Sequence, residues 1–407
     1  MPTTSPTRNW PASGLESCLT CPACGGVARS VWFTNLPDRL YGCAPGLWTF
    51  KRCGRCESAY LDPRPTRETI ADAYGDYYTH AAISPSASKP PDRGAGVRRA
   101  LRHGYLNRRF GLSLEGGSSL GPALVPLVPG LSARQRRWAR LPRPHDRASL
   151  LDVGAGSGAA VAHFRQLGWD ASGIDIDPAA VSAAQASDLP VLEGEITGLL
   201  GGERFDAVTM GHSIEHLHDP AGALAAALRL LKPGGVLELV TPNASSLGRR
   251  VYARDWLGLD PPRHLVVFTP SGVSLALRNA GFEKIRFHRP YRPPQWYFRA
   301  SEALRRGQPW TDGARPRGLE QAALLLSKCC SGVLPRLGEE LVVTAAKPAS
   351  PRRPATSHRA RNSDLPSARR LGLRPAAGRR RPSWPRLGGA RSVRAVLARG
   401  RPGRSRR

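Results

Sequence analysis

Two patterns in this chain could support chemistry: paired cysteines near the amino terminus and a glycine-rich turn in the middle. The pairs Cys21–Cys24 and Cys53–Cys56 are each a C-x-x-C knuckle that can point two thiolates at one ion. Four sulfur ligands leave no coordination position open, so we expect a structural zinc site. A redox C-x-x-C is the alternative, and the presence of two pairs argues against it. Cys18 and Cys43 are interpreted as spare thiols, although Cys18 could replace a neighbour.

The glycine-rich turn follows a short apolar run that begins at Leu150. Gly154, Gly156 and Gly158 alternate with small residues, and the next residues have helical character. This pattern predicts a buried strand that turns into a helix, with free backbone N–H groups facing a ligand. A tight turn that binds nothing is the alternative.

An acidic residue follows the glycine turn at the sequence separation that is typical of nucleoside-binding folds. Asp175 ends the next predicted strand, 21 residues after Gly154. Such a carboxylate can accept hydrogen bonds from both ribose hydroxyls. NAD stays open on these residues, but the turn lacks the G-x-G-x-x-G spacing, and Asp152 lies within the strand ahead of the first glycine.

The elements that must position these residues alternate between strand and helix. We predict strands at 149–153, 171–175, 190–192, 205–210, 235–241, 284–288 and 340–345, and helices at 159–167, 178–186, 220–231 and 270–280. A partly helical insertion is expected at 296–337. This alternation predicts a mainly parallel sheet covered on both faces, with ligands at the carboxyl ends of its strands.

Charge is distributed unevenly over the 407 residues. There are 60 basic and 31 acidic residues, a net charge of +29, but residues 348–407 carry 18 arginines against one acid, and residues 83–147 are also strongly basic. The remainder, including the predicted core, is nearly neutral. No secretory signal and no transmembrane run are expected, which favours a soluble cytoplasmic protein.

Composition predicts five segments. These are a disordered leader (1–17), a zinc ribbon (18–66), a helical basic connector (67–147), the α/β domain (148–347) and a disordered Arg/Pro-rich tail (348–407). Within the connector we expect helices at 67–74, 97–110 and 133–141. The basic connector could touch a membrane surface, a phosphorylated substrate or nucleic acid, or serve only as a solvated link.

The chain resembles the class I S-adenosylmethionine-dependent methyltransferases. The matching phrases are Leu151-Asp-Val-Gly-Ala-Gly-Ser-Gly158, Gly173-Ile-Asp-Ile-Asp177, Phe205-Asp-Ala-Val208, Ile214-Glu-His-Leu-His-Asp-Pro220, Leu231-Lys-Pro-Gly-Gly235 and Val240-Thr-Pro-Asn243. More narrowly, it is similar to the bacterial subgroup with an N-terminal four-cysteine ribbon, through Tyr60-Leu-Asp-Pro-Arg-Pro-Thr66 and Pro262-Arg-His-Leu265. The resemblance implies a Rossmann-like sheet of seven strands, the last one antiparallel.

The resemblance also implies residue roles in binding S-adenosylmethionine. Gly154, Ala155 and Gly156 would lie under the methionine part of the cofactor, and Asp175 would hold the ribose. The remaining residues assigned to the cofactor are Ile176 beside the adenine, Glu195 near its amino group, His212 at the methionine end, and Ile196 and Asp152. Glu195 departs from the usual Asp.

Methyl transfer to a hydroxyl or carbon acid needs alignment and removal of a proton. His212, Glu215, His216 and His264 are candidate bases, and we favour His216 and His264. Capping and packing, or a hydrogen bond that fixes the loop, are the structural alternatives. Trp256 and Arg263 are expected to line the substrate pocket or to pack, and Asp219 is interpreted as a helix N-cap.

These features predict a methyltransferase acting on oxygen or carbon of a small-molecule or glycan-type substrate. The alternative is an RNA or protein methyltransferase that uses the basic segments for binding. A degenerate binding module is a third interpretation, which the intact glycine turn and Asp175 argue against. The sequence specifies neither the methyl acceptor nor the oligomeric state.

Overall fold

The computed structural model describes residues 9–75, 95–127, 140–311 and 313–349. The predicted helix at 133–141, most of the linker before residue 95 and nearly all of the tail lie outside these ranges. No helix within the described part of the chain is both long and apolar enough to cross a bilayer.

Thirteen strands are formed by the described residues. They are β1 (Leu15–Glu16), β2 (Arg29–Leu36), β3 (Trp48–Cys53), β4 (Ala59–Leu61), β5 (Arg64–Pro65), β6 (Ser149–Val153), β7 (Asp170–Asp175), β8 (Val191–Glu193), β9 (Phe205–Gly211), β10 (Leu231–Pro242), β11 (Val266–Val267), β12 (Glu283–His288) and β13 (Glu340–Ala346). The predicted strands of the α/β domain are all present, with ends that differ by a few residues.

The main sheet has seven strands in the order β12-β13-β10-β9-β6-β7-β8. Strands β10, β9, β6, β7 and β8 pair in parallel, whereas β13 pairs antiparallel with both β10 and β12. The predicted α/β fold with an antiparallel last strand is therefore confirmed. Because the parallel strands share one direction, the loops after them meet at one edge of the sheet.

The helices are α1 (Ala95–Phe110), α2 (Gly121–Leu127), α3 (Ala159–Gln166), α4 (Pro178–Gln185), α5 (Pro220–Leu230), α6 (Leu247–Tyr252), α7 (Pro270–Asn279), α8 (Pro294–Arg305) and α9 (Gly318–Val333). Three of them, α4, α5 and α7, begin in the same way. Asp177, Asp219 and Thr269 each accept a hydrogen bond from a backbone N–H of the first turn, and a proline follows each cap. This cap with proline at N1 supplies a partner for an otherwise free N–H and presets the helical φ angle. The N-cap interpretation of Asp219 is confirmed.

The cysteine-rich segment forms a second, four-stranded sheet in the order β11-β4-β3-β2. Strands β2, β3 and β4 come from the amino-terminal segment, but β11 belongs to the α/β domain and pairs antiparallel with β4. Buried side chains of both regions, including Phe50 and Leu237, belong to one continuous hydrophobic cluster. The ribbon and the main sheet are thus packed together.

Two expectations for the amino-terminal region differ from the structure. Residues 9–17, which composition assigned to a disordered leader, include strand β1, which pairs with β5, and Trp10, which is buried against Trp48. The helix expected at 67–74 is reduced to a 3-10 turn at Ile70–Tyr74. Both departures arise from tertiary packing, which supplies partners that local composition does not reveal.

Candidate functional site

The four cysteines of the two knuckles come together in the ribbon. Their sulfur atoms lie within 4.8 Å of one another, with Cys21 to Cys56 at 3.7 Å and Cys24 to Cys53 at 3.6 Å. Sulfurs that surround one zinc ion tetrahedrally at 2.3 Å would lie about 3.8 Å apart. The cluster therefore has the ligand type, number and spacing that a structural zinc ion requires, whereas Cys18 and Cys43 lie outside it.

The second knuckle packs directly against the α/β domain. Thr269, the N-cap of α7, donates its hydroxyl to the backbone oxygen of Cys56 at 2.6 Å. Its own backbone N–H donates to the hydroxyl of Ser58 at 3.1 Å. These buried contacts connect the ribbon fold to the loop that contains His264.

The glycine turn after β6 is tied to the end of β7. The backbone N–H groups of Gly154 and Ala155 donate to the Ile174 oxygen, and that of Gly156 donates to Asp175 Oδ2 at 2.7 Å. These three N–H groups thus have partners within the protein, and that of Gly156 fixes the carboxylate of Asp175 beside the turn. The expectation of free N–H groups concerned the start of the following helix, α3.

The glycines of the turn lack side chains, and this leaves space beside the backbone. All three glycines have positive φ, and a Cβ at Gly156 would meet no heavy atom within 4 Å. A Cβ at Gly154, in contrast, would lie 2.5 Å from Cβ of Ser213, in the loop after β9. Gly156 therefore faces open space, and Gly154 lets the turn approach the loop that contains His212 and Glu215.

The carboxylate of Asp175 retains capacity to accept further hydrogen bonds. Each oxygen accepts one backbone N–H, from Gly156 at Oδ2 and from Asp177 at Oδ1. Burial raises the pKa of Asp175, and these two hydrogen bonds offset only part of that effect. A carboxylate oxygen has two lone pairs, so both oxygens can still accept a hydroxyl.

The other residues assigned to the cofactor differ in their surroundings. Asp152 lies within the sheet and accepts a 2.6 Å hydrogen bond from Thr209 of β9. Ile176 is exposed directly after β7, whereas Ile196 is buried. Glu195 is exposed and forms an ion pair with Arg67. Asp175, Ile176 and Glu195 thus follow neighbouring strands at the same edge of the sheet.

His212 lies between two fully buried carboxylates. Its Nδ1 is 3.3 Å from Glu215 Oε1, and its Nε2 is 3.1 Å from Glu340 Oε1. Burial alone would lower the pKa of His212, but the two carboxylates together outweigh burial and raise it. Burial likewise opposes ionisation of Glu215, yet contact with His212 lowers the pKa of Glu215 to about 2. The two carboxylates thus favour the charged form of His212.

The two favoured base candidates are brought together. The rings of His216 and His264 contact edge to face, with centroids 4.8 Å apart. Nδ1 of His216 is 3.0 Å from the Arg263 backbone oxygen, and Nδ1 of His264 is 2.9 Å from that of Gly258. A carbonyl only accepts, so each neutral ring has its proton on Nδ1 and a lone pair on Nε2. Burial, together with neighbouring His264, lowers the pKa of His216 to about 4.

Of the two interpretations left open for Arg263 and Trp256, pocket lining or packing, the burial of both side chains favours packing. Arg263 is fully buried and donates to Asp38 at 2.5 Å and to Asp260 at 2.6 Å. Trp256 is 1% exposed and donates its indole N–H to Glu339. Asp38 belongs to the ribbon segment, so Arg263 joins that segment to the loop before His264.

Tyr74 and Glu340 lie beside the candidate site, and sequence reasoning missed both of them. The Tyr74 hydroxyl lies 3.1 Å from Nδ1 of His216, and Glu340 begins β13 beside His212. Tyr74 follows the ribbon and Glu340 is far along the chain, so no local spacing indicates these contacts. A buried acid at the start of the antiparallel strand was the one available signal for Glu340, because that end of β13 lies beside the carboxyl end of β10.

Comparisons with known proteins relate the α/β domain to methyltransferases. Residues 131–286 match a family model described as a methyltransferase domain. A ubiquinone biosynthesis O-methyltransferase of Cereibacter sphaeroides (strain ATCC 17025 / ATH 2.4.3) is 28% identical over 207 residues, which are 46% of this chain and 81% of the relative. Another, from Xanthomonas oryzae pv. oryzae (strain PXO99A), is 37% identical over 152 residues, which are 33% of this chain and 62% of that relative.

Among solved structures, a SAM-dependent methyltransferase from Thermotoga maritima is similar, at 20% identity and a TM-score of 0.36, over 60% of this chain and 99% of that one. Similarity at this level carries no argument about function. The family match, the curated relatives and the seven-stranded sheet together identify the protein as a class I S-adenosylmethionine-dependent methyltransferase.

Proposed function

We propose that the protein transfers the methyl group of S-adenosylmethionine to a hydroxyl oxygen of a small-molecule or glycan-type substrate. The observation that carries this proposal is the edge-to-face contact between the imidazoles of His216, after β9, and His264, before β11. Two lone-pair nitrogens suit an acceptor that must lose a proton. The curated relatives named as O-methyltransferases support the same class of acceptor.

Cofactor binding is assigned to the edge of the sheet that follows β6, β7 and β9. Gly156 leaves room for the cofactor, Asp175 would accept the ribose hydroxyls, and exposed Ile176 offers an apolar surface to the adenine. When bound, S-adenosylmethionine supplies a methyl group on a positively charged sulfur, so that the acceptor oxygen forms the new O–C bond while the C–S electron pair stays on sulfur.

Proton removal is assigned to the imidazole pair. The lone pair on Nε2 of His216 or of His264 takes the acceptor proton, and the backbone carbonyls at Nδ1 hold both rings in orientation. Tyr74, from the segment after the ribbon, contacts the His216 ring and restricts it further. The protein thus contributes alignment and a base, without a covalent intermediate.

The four-cysteine cluster is proposed to hold a structural zinc ion. Its cysteines supply a closed ligand set, and the ion would fix the second knuckle against Thr269 and thereby the loop that contains His264. Thiolate ligands require a reducing compartment, which supports a cytoplasmic location.

The test combines an acceptor screen with two variants. The full-length protein is incubated with labelled S-adenosylmethionine and panels of phenols, sugar hydroxyls, RNA and protein. On the best small-molecule acceptor, at least one of H216N and H264N should lower turnover by about 100-fold, the range of general-base contributions. Cofactor affinity measured by calorimetry should stay within about three-fold in both variants. His218, two residues from His216 and bonded to the Pro65 oxygen, provides the matched control H218N.

Transfer to RNA or protein alone would contradict the proposed acceptor class. Wild-type turnover in both H216N and H264N would contradict the assignment of the base to this pair.

A further inference from the structure

Helix α9 presents an apolar face to the outside of the protein. Its inner side, with Ala323, Leu324 and Ser327 buried, packs against α6 and α8. We call the exposed apolar side chains of its outer side the α9 face; they are Leu319, Ala322, Leu325, Leu326 and Cys329. With 3.6 residues per turn, these five positions occupy about one third of the helix circumference.

The α9 face is unusually apolar for the surface of a helix. Its leucines, Leu319, Leu325 and Leu326, are exposed by 75%, 52% and 53%. Leu334 and Leu337 follow the helix in the chain and are also exposed. The five residues of the face carry no charge and no hydroxyl or amide side chain. A contiguous exposed apolar surface of this kind marks an interaction site.

Positive charge lies around the α9 face. Residues 292–338 contain eight basic and three acidic residues. Two of the acids are paired with arginines of the same segment. Four exposed cations form no ion pair with another described residue, and these are Arg315, Arg317, Lys328 and Arg336. The first two precede the helix, Lys328 is a neighbour of Leu325 one turn away, and Arg336 follows the helix.

From this combination we propose that α9 docks the protein on the surface of an anionic lipid bilayer. The α9 face enters the boundary of the acyl chains, and the four cations lie at the level of the lipid phosphates. A helix in the plane of a bilayer interface has this division, with apolar side chains buried about 5–10 Å deep and basic side chains near acidic head groups. Long Lys and Arg side chains can cover apolar surface with their stems while their charged ends stay in water.

A second copy of this chain would be a poorer partner for the α9 face. A twofold interface pairs the same patch of both copies. Antiparallel pairing of two α9 helices would bring Arg315 and Arg317 of one copy towards Arg336 of the other, and like charges repel. A bilayer with acidic lipids supplies negative charge along the whole helix instead.

The thiol of Cys329 reports burial of the α9 face without any substitution, cofactor or acceptor. The full-length protein is reacted with a charged, water-soluble maleimide, and peptide mass spectrometry follows the modification of Cys329. Vesicles of phosphatidylcholine and phosphatidylglycerol should slow this reaction by about ten-fold or more, because the thiol leaves water together with the face. Vesicles of phosphatidylcholine alone should slow it much less, because they offer the cations no acidic lipid.

Two results of this experiment would overturn the proposal. One is failure of the protein to bind the acidic vesicles. The other is an unchanged rate at Cys329 in protein that has bound them, since the arginine-rich tail would then account for binding. Slowing that increases with protein concentration in the absence of lipid would identify a second copy as the partner and would likewise reject the bilayer.

A pair of leucine variants separates the α9 face from other exposed apolar residues. L325S/L326S should return the rate at Cys329 to within about two-fold of the lipid-free rate, because the transfer of two leucines into lipid is lost. The matched control is L192S/L200S, at leucines that are exposed by 56% and 85% outside α9, and it should be protected as the wild type is. Equal protection in both variants would refute the role of the face.

The contribution of the cations is tested in the same assay. R317Q/K328Q should reduce the protection of Cys329 and its sensitivity to salt, because two charges near acidic lipid are removed. R278Q/K284Q removes an exposed arginine and an exposed lysine elsewhere and should have no such effect. An unchanged circular dichroism spectrum shows that each variant is folded. Identical salt dependence in the two variants would reject the assignment of these cations to acidic lipid.

Discussion

Substitution of Arg263 by alanine should destabilise the protein more than any surface change. The guanidinium is fully buried and is bonded to Asp38 and Asp260, whose side chains are only 1% and 5% exposed. R263A leaves both carboxylates buried without their cation. Removing one partner of a buried ion pair costs about 3–5 kcal/mol, so we expect a loss of that size in the free energy of unfolding.

The matched control is the pair of Arg39 and Asp255, which also joins the ribbon segment to the α/β domain. Its side chains are 32% and 20% exposed, and the contact distance is 2.7 Å. Because exposed pairs contribute about 0–1 kcal/mol, R39A should have little effect. Urea unfolding followed by circular dichroism measures both variants, with the slope checked for constancy. A difference below about 1 kcal/mol between R263A and R39A would refute the buried-pair argument.

The effect of R263A should also depend on pH. Burial alone would raise the pKa of Asp38, but the hydrogen bond and charge of Arg263 outweigh burial and lower it. A carboxyl group with a lowered pKa stabilises the fold above its unfolded value of about 3.9, and this contribution disappears as the pH falls through the folded value. The gap between wild type and R263A should therefore narrow in acid, and a constant gap would exclude this linkage.

Four further outcomes are expected. Asp175→Ala should weaken S-adenosylmethionine binding at least ten-fold in calorimetry if, as we propose, its oxygens accept the ribose hydroxyls; unchanged affinity would reject that role. G156A should reduce cofactor affinity at a stability cost of about 1–2 kcal/mol from its positive φ, whereas G154A should also lose stability through the 2.5 Å approach to Ser213; equal melting temperatures would contradict this contrast. Cys53→Ser should remove one zinc per chain in metal analysis and lower the melting temperature, and retained zinc would exclude the four-cysteine set. Burial and nearby arginines lower the pKa of His288 to about 4, so wild-type stability should fall between about pH 7 and pH 5, as the unfolded histidine binds its proton first; H288Q should show a smaller fall in urea unfolding, and identical pH slopes would argue against it.

Local spacing was sufficient for much of the fold and for part of the site. The glycine turn, Asp175 and the capped starts of α4, α5 and α7 depend on residues a few positions apart or at the ends of neighbouring parallel strands. Such features are dictated by backbone conformation and strand direction. The two cysteine knuckles could also be predicted from the sequence, because each is a local loop with a fixed spacing between its two ligands.

Contacts between segments that are far apart in the sequence could not be predicted from local patterns. The sequence left open whether Arg263 lines the substrate pocket or packs, and its buried ion pair with Asp38 of the ribbon segment favours packing. Likewise, β11 is a two-residue strand that exists because β4 offers a free edge. Charged groups that are far apart in the sequence could form many different ion pairs. Only tertiary packing determines which buried acidic and basic side chains are in contact.

The sequence by itself therefore determined the class of the domain, the cofactor turn with Asp175, and the paired cysteines. Only the tertiary structure showed that the rings of His216 and His264 are in contact and that His212 lies between Glu215 and Glu340. It also showed that β11 of the α/β domain pairs with β4 and so extends the sheet of the ribbon. The physical reason is range: backbone geometry acts over a few residues, whereas burial brings together charges and rings that are tens to hundreds of residues apart.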